Sequence, residues 1–407
     1  GIMNENENLV PKRRFKEFKN TGTWEQRKLG EVANFLNGRA YKQQELLESG
    51  KYRVLRVGNF NTNDKWYYSD LELEENKYAN SGDLLYLWAT NFGPEIWDEE
   101  KVIYHYHIWK LDLYSSEVDK QYMYTWLITD KEKIKQTTNG TTMVHVTKGN
   151  MEQREFQLPI SIKEQKKIGS FFKQLDNTIA LHQRKLEKSK ALKSAYLSDM
   201  FPAEGDRKPK RRFAGFTDDW EQRKLKELTE VITKGTTPKD KSGKGSINFV
   251  KVENINKISG EIDIKSKITE NEHEGYLKRS QLKDGDILFS IAGTLGRTAI
   301  VKKELLPANT NQALAIIRLD EGDKNYITTF LNGRAAEDFI KKNPTVGAQP
   351  NLSLEQVGNL LIEIPSLEEQ TKIGSFFKQL DDTIALHQHK LEKLQNIKQA
   401  YLNELFV

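Results

Sequence analysis

The residues whose types could do chemistry are few, and their spacing does not fit it. Ser242-Gly-Lys-Gly-Ser is the nearest approach to a phosphate-cradling loop. A P-loop needs a second glycine five positions upstream to bend the backbone around the phosphates, and Pro238 stands there. Gly293-Thr-Leu-Gly-Arg297 is too short for a dinucleotide fingerprint and lacks the acidic residue about 20 positions on in a βαβ setting. The seven histidines form no metal-ligand spacing. His105 and His107 alternate along what reads as one strand from Lys101 to Leu111, where a half-buried structural role is expected. There is no Gly-x-Ser-x-Gly elbow. Asn343-Pro-Thr-Val lacks the second proline and the aromatic of an amino-methylating Asn-Pro-Pro-aromatic loop. Acidic residues such as those of Asp98-Glu-Glu-Lys are scattered over charged surface. No catalytic residue and no metal site is expected.

What the chain does contain is a duplicated frame. KIGSFFKQLDNTIALHQRKLEK, Lys167 to Lys188, returns as KIGSFFKQLDDTIALHQHKLEK, Lys372 to Lys393. PKRRFKEFKNTGTWEQRKLGEV, from Pro11, returns as PKRRFAGFTDDWEQRKLKEL, from Pro209, two residues shorter before the tryptophan. The order is arm, variable block, helix, and then the same again. A period of about 200 residues means a duplicated domain with its connector, where a period of 20 to 50 would mean a solenoid. The expected architecture is α+β: two mixed α/β blocks related by pseudo-two-fold symmetry and separated by two long helices. The expected boundaries are an arm at 1–23, a block at 24–160, a helix at 161–201, a linker repeating the arm at 202–219, a block at 220–365 and a helix at 366–407.

The repeated helices have heptad spacing. Phe172, Leu175, Ile179, His182 and Leu186 step by three and four alternately, as do Phe377, Leu380, Ile384, His387 and Leu391. Such a seam pairs helices, and a two-fold axis across it requires the pair to be antiparallel. His182 and His387 hold equivalent seam positions and are expected to set register. Phe171 and Phe376 adjoin seam phenylalanines and cannot face the seam as well, so they are expected to meet partner proteins. Because the first helix runs on into the second arm, Pro11 to Phe15 is expected beside the end of the second helix. The Lys-Arg-Arg runs are either phosphate contacts or solvated linker charge.

Composition bounds the setting. The 407 residues suffice for two or three domains, and 37% hydrophobic with 30% charged residues describes a soluble chain with much charged surface. The absence of cysteine excludes a disulfide framework and thiolate metal sites and points to a reducing, cytoplasmic compartment. No apolar run has the length of a signal peptide's core or a membrane span, so no membrane is expected as a partner. The net charge of +5 permits nucleic-acid binding without requiring it. Within the blocks, Tyr52 to Phe60, Ser246 to Ile255 and Asn311 to Leu319 alternate like strands, next to Gly- and Asn-rich loops.

Two variable blocks, each followed by an EQxKIGxFFxxLDxxIxLHQxKLE helix and each opened by WEQRKL at Trp24 and Trp220, with AQPNLSLEQVGNLLIEIP from Ala348, resemble the specificity subunit of a Type I restriction-modification system. The resemblance covers the chain from about Leu9 to Val407. It implies a subunit without catalysis of its own, in which each block is a target recognition domain reading one half of an asymmetric, bipartite DNA sequence. The helices would form an antiparallel coiled coil that separates the heads and docks two methyltransferase subunits. Restriction and translocase activity would belong to further subunits. S-adenosylmethionine and ATP with magnesium are then cofactors of partners, and none is expected in this chain. Two heads on one face of B-DNA would sit about one turn apart, roughly 34 Å, with the coil as spacer.

Reading heads need donors and acceptors for base edges and charge for phosphates. In the second block the candidates are Lys234, Thr236, Thr237, Lys239, Lys241, Asn254, Arg297, Gln349 and Asn351. In the first they are Arg39, Tyr41, Lys42, Arg53, Asn59, Thr90, Asn91, Thr142 and His145. The first block departs from the second, with Gly-Arg-Ala-Tyr at Gly38 where the second has Gly-Thr-Thr-Pro at Gly235. Two alternatives stay open at this level: a single-chain nuclease or methyltransferase with two DNA-binding domains, and a structural coiled-coil adaptor.

Overall fold

The structure is a computed structural model and describes residues 9–60, 63–89, 91–137, 146–343 and 350–406. The chain divides into two compact units, Gly1–Ala180 with Glu392–Val407, and Leu181–Leu391. Each unit thus contains one variable block, the start of the helix that follows it and a stretch of the other long helix.

In unit 1 the strands are β1 (Glu25–Lys28), β2 (Ala33–Asn37), β3 (Tyr52–Leu55), β4 (Tyr67–Ser69), β5 (Tyr78–Ala79), β6 (Leu84–Leu87), β7 (Gly93–Ile96), β8 (Val102–Tyr104), β9 (Ile108–Leu113) and β10 (Glu155–Leu158). They form sheets of order β2-β9-β6-β7 and β4-β3-β8-β5 and a separate β1-β10 ribbon. In β9, Trp109 and Leu111 pack into one core cluster from one face, while Ile108 packs into another from the opposite face and Lys110 donates to Tyr78 O at 2.8 Å, so the alternation serves two packed faces. Helices α1 (Leu29–Val32), α2 (Lys120–Thr137) and α3 (Lys148–Glu152) complete the block. Asp119 caps α2, its Oδ1 accepting from Tyr122 N at 2.9 Å.

Unit 2 repeats the plan with β11 (Glu221–Lys224), β12 (Thr229–Lys234), β13 (Ile247–Val250), β14 (Ser266–Ile268), β15 (Ile287–Ser290), β16 (Thr298–Ile300), β17 (Ala308–Thr310), β18 (Leu314–Leu319) and β19 (Leu361–Ile364). The sheets are β12-β18-β15-β16, β14-β13-β17 and the ribbon β11-β19. In each unit one strand pair is parallel, β3 with β8 and β13 with β17. Asp323 caps the helix at Lys324–Leu331 through Tyr326 N at 2.9 Å, as Asp119 does in unit 1.

One sequence expectation is corrected here. Lys101 to Leu111 is not a single strand: β8 ends at Tyr104, residues 105–107 form a turn, and Ile108 N donates to His105 O at 3.0 Å. Likewise β18 begins at Leu314, after a turn in which Leu314 N donates to Asn311 O at 3.3 Å. The cause is topological. β8 and β17 belong to one sheet and β9 and β18 to the other, so the chain must turn to change sheets.

The long helices run Ile162–Asp199 and Leu367–Leu405. They pair antiparallel within each unit, since as residue number rises along the first, that of its partner falls. In unit 1 Phe171 meets Tyr401 at 5.0 Å between ring centroids and Asp176 takes Lys398 at 2.6 Å. In unit 2 His182 meets His387, Lys193 pairs with Asp381 at 2.6 Å, and Tyr196 packs edge-on against Phe376 at 4.9 Å. Phe172, Leu186, Phe377, Ile384 and Leu391 are buried, as heptad spacing requires. Leu175, Ile179 and Leu380 are half-buried. Unit cores include the far ends of the opposite helices: Leu402, Leu405 and Phe406 lie with Trp24, Tyr122 and Phe172, while Met200 lies with Trp220, Tyr326 and Phe377. The arm sits where the circular order of the repeat places it, Arg13 N donating to Glu404 O at 2.8 Å.

Candidate nucleic-acid interface

In unit 2 the loop after β12 is pressed against the turn at 311–313. Thr236 N donates to Thr310 O at 3.0 Å and Gly235 N to Leu314 O at 3.3 Å. A Cβ at Gly235 would collide with the carbonyl oxygens of Thr310 and Asn311, so only glycine allows this approach. Beyond it Thr237 donates its hydroxyl to Gln312 Oε1. Thr237, Lys241, Lys251, Lys267, Asn311 and Gln312 line one cleft of about 330 Å³ over Phe249 and Ile268. Asp240, also on its wall, accepts from Ser242 N and Oγ and stays charged, so three lysines face one carboxylate in the cleft. A second groove brings Lys234 and Asn351 together beside Ser353 and Gln356. Lys239 reaches over the Tyr276 ring at 4.5 Å.

Two candidates of this unit hold the fold instead. Asn254 is 4% exposed and its Oδ1 accepts from Lys251 N at 2.8 Å. The Arg297 guanidinium donates to the carbonyls of Val252 and Ile255 at 3.2 and 3.0 Å. Both side chains brace the loop after β13. Gln349 lies outside the described residues, as do Thr90, Thr142 and His145 of the first block.

Unit 1 builds the same loop-against-turn contact from other residues. Arg39 N donates to Tyr104 O and Tyr106 N to Arg39 O, both at 3.1 Å. The side chain of Arg39 is clamped by Glu45 through bonds of 3.0 and 2.9 Å and lies over Tyr41. Tyr41 is itself half-buried, and burial raises its hydroxyl pKa well beyond the usual tyrosine range. Arg53 is 16% exposed, paired with Glu99 and Glu100 at 2.6 and 3.0 Å and stacked on Trp66. Asn59 serves its own loop, donating to Asn63 O and Lys65 O. Arg39, Arg53 and Asn59 are thus engaged within the unit, and Lys42 and Asn91 lie on its exposed surface.

Sequence reasoning missed the turn itself. Tyr106 is 40% exposed, with ring centroids 4.4 Å from His105 and 4.0 Å from His107. Trp88 lies 4.8 Å from His107 and stacks on Trp109. Burial first, then His107 and Arg56, push the His105 imidazole down to about 4, so it is neutral at pH 7. The equivalent turn of the second block, Asn311-Gln312-Ala313, shares no residue with it, so the sequence carries no repeated signal for the pair.

Phe171 and Phe376, expected to face partners, are half-buried inside the units. Phe171 is held between Phe15 and Tyr401, and Phe376 between Phe213 and Tyr196. The arms cover the ring faces that the seam leaves over. Leu181 and Leu386, 43% and 49% exposed, are the equivalent apolar residues the helices do present. Among the described residues no cluster of three or more histidine or acidic side chains could hold a metal, and no helix is long and apolar enough to cross a membrane.

The chain matches the model of the Type I restriction modification DNA specificity domain twice, at 21–190 and 217–396. It is 24% identical to the specificity subunit of the Type I restriction enzyme EcoBI of Escherichia coli, over 94% of this chain and 85% of that protein. It is 24% identical to the MjaVIII specificity subunit of Methanocaldococcus jannaschii, over 80% and 79%. The fold superimposes on the Type I restriction-modification S subunit of M. genitalium with a TM-score of 0.71 at 15% identity, covering 98% of this chain and 99% of that one.

Proposed function

This chain belongs to the Type I restriction modification DNA specificity family, and from that premise we propose that it is the specificity subunit of a Type I restriction-modification enzyme, each unit reading one half of an asymmetric, bipartite site in double-stranded DNA. The long helices dock two methyltransferase subunits, and restriction and translocase subunits complete the assembly. S-adenosylmethionine and ATP with magnesium are assigned to those partners. This chain contributes recognition and holds no reacting group.

The observation that supports this most directly is one frame used twice with different loops. Arg14 grips Glu164 as Arg212 grips Glu369. Gln165 accepts from Asp119 N as Gln370 does from Asp323 N, at 2.8 and 3.0 Å. Trp24 lies 6.1 Å from Tyr122, as Trp220 does from Tyr326. The sheet-changing turns, by contrast, are His-Tyr-His and Asn-Gln-Ala. A symmetric ligand would give no reason for loops to diverge within a kept frame, whereas two unlike half-sites need both features.

Co-expression with a methyltransferase subunit and mapping of modified adenines across a host genome tests the proposal. Methylation confined to one split, asymmetric sequence is expected. A continuous site, or no added methylation from an assembled complex, would refute it.

A further inference from the structure

We infer that the sheet-changing turn is the base-selecting element of each unit, with Tyr106 and Gln312 as specificity-determining residues that both read A·T pairs, Tyr106 through the thymine methyl and Gln312 through the adenine edge. The inference rests on the reading of the chain as a DNA specificity subunit.

The turns hold equivalent places, each leading from the parallel-paired strand of one sheet into the other sheet, and each is braced before any ligand arrives. At Tyr106 both backbone polar groups are occupied, the N–H by Arg39 O at 3.1 Å and the carbonyl by Trp88 Nε1 at 2.8 Å. The ring stands 40% exposed on that fixed backbone. Beneath it Trp88 stacks on Trp109 and Trp109 on Tyr86, centroids 5.9 Å apart in both steps, so the support reaches into the core. A ring presented this way loses little freedom when it meets a base, and its apolar face complements the methyl group that marks thymine in the major groove.

Gln312 stands in the corresponding place in unit 2 and is exposed. Thr237 donates to its Oε1, which orients the amide without burying it. An amide pairs its acceptor and donors with N6 and N7 of adenine. The surrounding cleft supplies Lys241, Lys251 and Lys267 for phosphates, and such contacts fix register without carrying sequence information. Arg297 and Asn254, the residues that look most like base readers in the sequence, are occupied inside the fold, which leaves this exposed amide at the head of the basic cleft.

The experiment compares wild type with Gln312→Ala, Gln312→Glu and Tyr106→Ala, each assembled with the methyltransferase subunit, by genome-wide adenine methylation. Gln312→Ala should lose between about five- and one-hundred-fold in discrimination at one position of one half-site and leave the other half-site intact. Tyr106→Ala should do the reverse. Gln312→Glu should shift that position toward cytosine, whose N4 donates to a carboxylate. Assembled Gln312→Ala and Tyr106→Ala complexes that keep wild-type discrimination at every position overturn the turn assignment alone. A wild-type complex that methylates no divided site overturns the underlying reading and this inference with it.

Discussion

The guanidinium of Arg14 meets the carboxylate of Glu164 in two hydrogen bonds, at 2.6 and 2.7 Å, with side chains 9% and 1% exposed. The pair ties the arm to the first turn of the long helix, where the N-terminal end of the helix dipole also favours a carboxylate. Removing one partner of a buried pair leaves the other charged and unsolvated, which costs about 3–5 kcal/mol. Glu164→Ala should therefore lower the urea stability of unit 1 by that order, and Glu369→Ala should do the same in unit 2 through Arg212. Replacing both partners, Arg14→Met with Glu164→Leu, should recover most of the loss. A single-variant loss below about 1 kcal/mol would mean that water reaches the site.

A pH effect is expected from the helix seam. His182 and His387 approach through their Nδ1 atoms at 3.1 Å, a contact that needs at least one neutral ring. Burial, then His182, Lys185 and Lys390, hold the His387 imidazole below its usual value of about 6.5. The folded chain therefore binds the proton less readily than the unfolded one. Stability is complete above about pH 6.5 and is lost as pH falls below it toward the lowered value. Thermal unfolding between pH 7 and 5 should show a steeper decline in wild type than in His387→Asn. Comparison with the variant separates this effect from His105, which titrates in the other unit near 4.

The frame was legible because chemistry repeats: the heptads predicted the paired helices, and the repeated PKRRF arms predicted the contact of the arm with the end of the second helix. The first turn was not legible, since His105-Tyr106-His107 holds no glycine, proline or asparagine and its aromatics favour strands, and in the second only Asn311 hints at one. Nothing in single letters shows that the chain changes sheets there. Arg297 and Asn254 are ambiguous in the sequence for a related reason. Their side chains suit base edges and loop backbone groups equally well, and the sequence does not show the backbone partners that the fold brings to them.

Glycine at 235 is expected to be irreplaceable. The atoms a Cβ would strike are backbone carbonyls of Thr310 and Asn311, which cannot rotate away as a side chain can. Gly235→Ala must shift the turn or the loop, at a cost of about 1–3 kcal/mol by analogy with overpacked cores. Because the shift moves Gln312 relative to Thr237, methylation at the unit 2 half-site should weaken while that at the other half-site persists. Gly38→Ala should mirror this in unit 1, where the obstacle is the His105 carbonyl. Equal loss at both half-sites from either variant would show that the loops do not act independently.

The cleft lysines should behave as phosphate contacts. Lys241, Lys251 and Lys267 share one wall system with Gln312, and no ion pair to them occurs among the described residues. A lysine that neutralises one phosphate releases about one counterion, so log K falls against log salt with a slope near −0.9 per contact. Lys241→Ala or Lys267→Ala should each reduce that slope by about 1 and weaken binding to matched and mismatched DNA alike. Gln312→Ala should leave the slope unchanged and narrow the gap between matched and mismatched sequences. Titrations of the assembled complex on both duplexes at several salt concentrations measure the two quantities separately. A lysine variant that altered the sequence preference but not the salt slope would place that residue at a base edge instead of a phosphate.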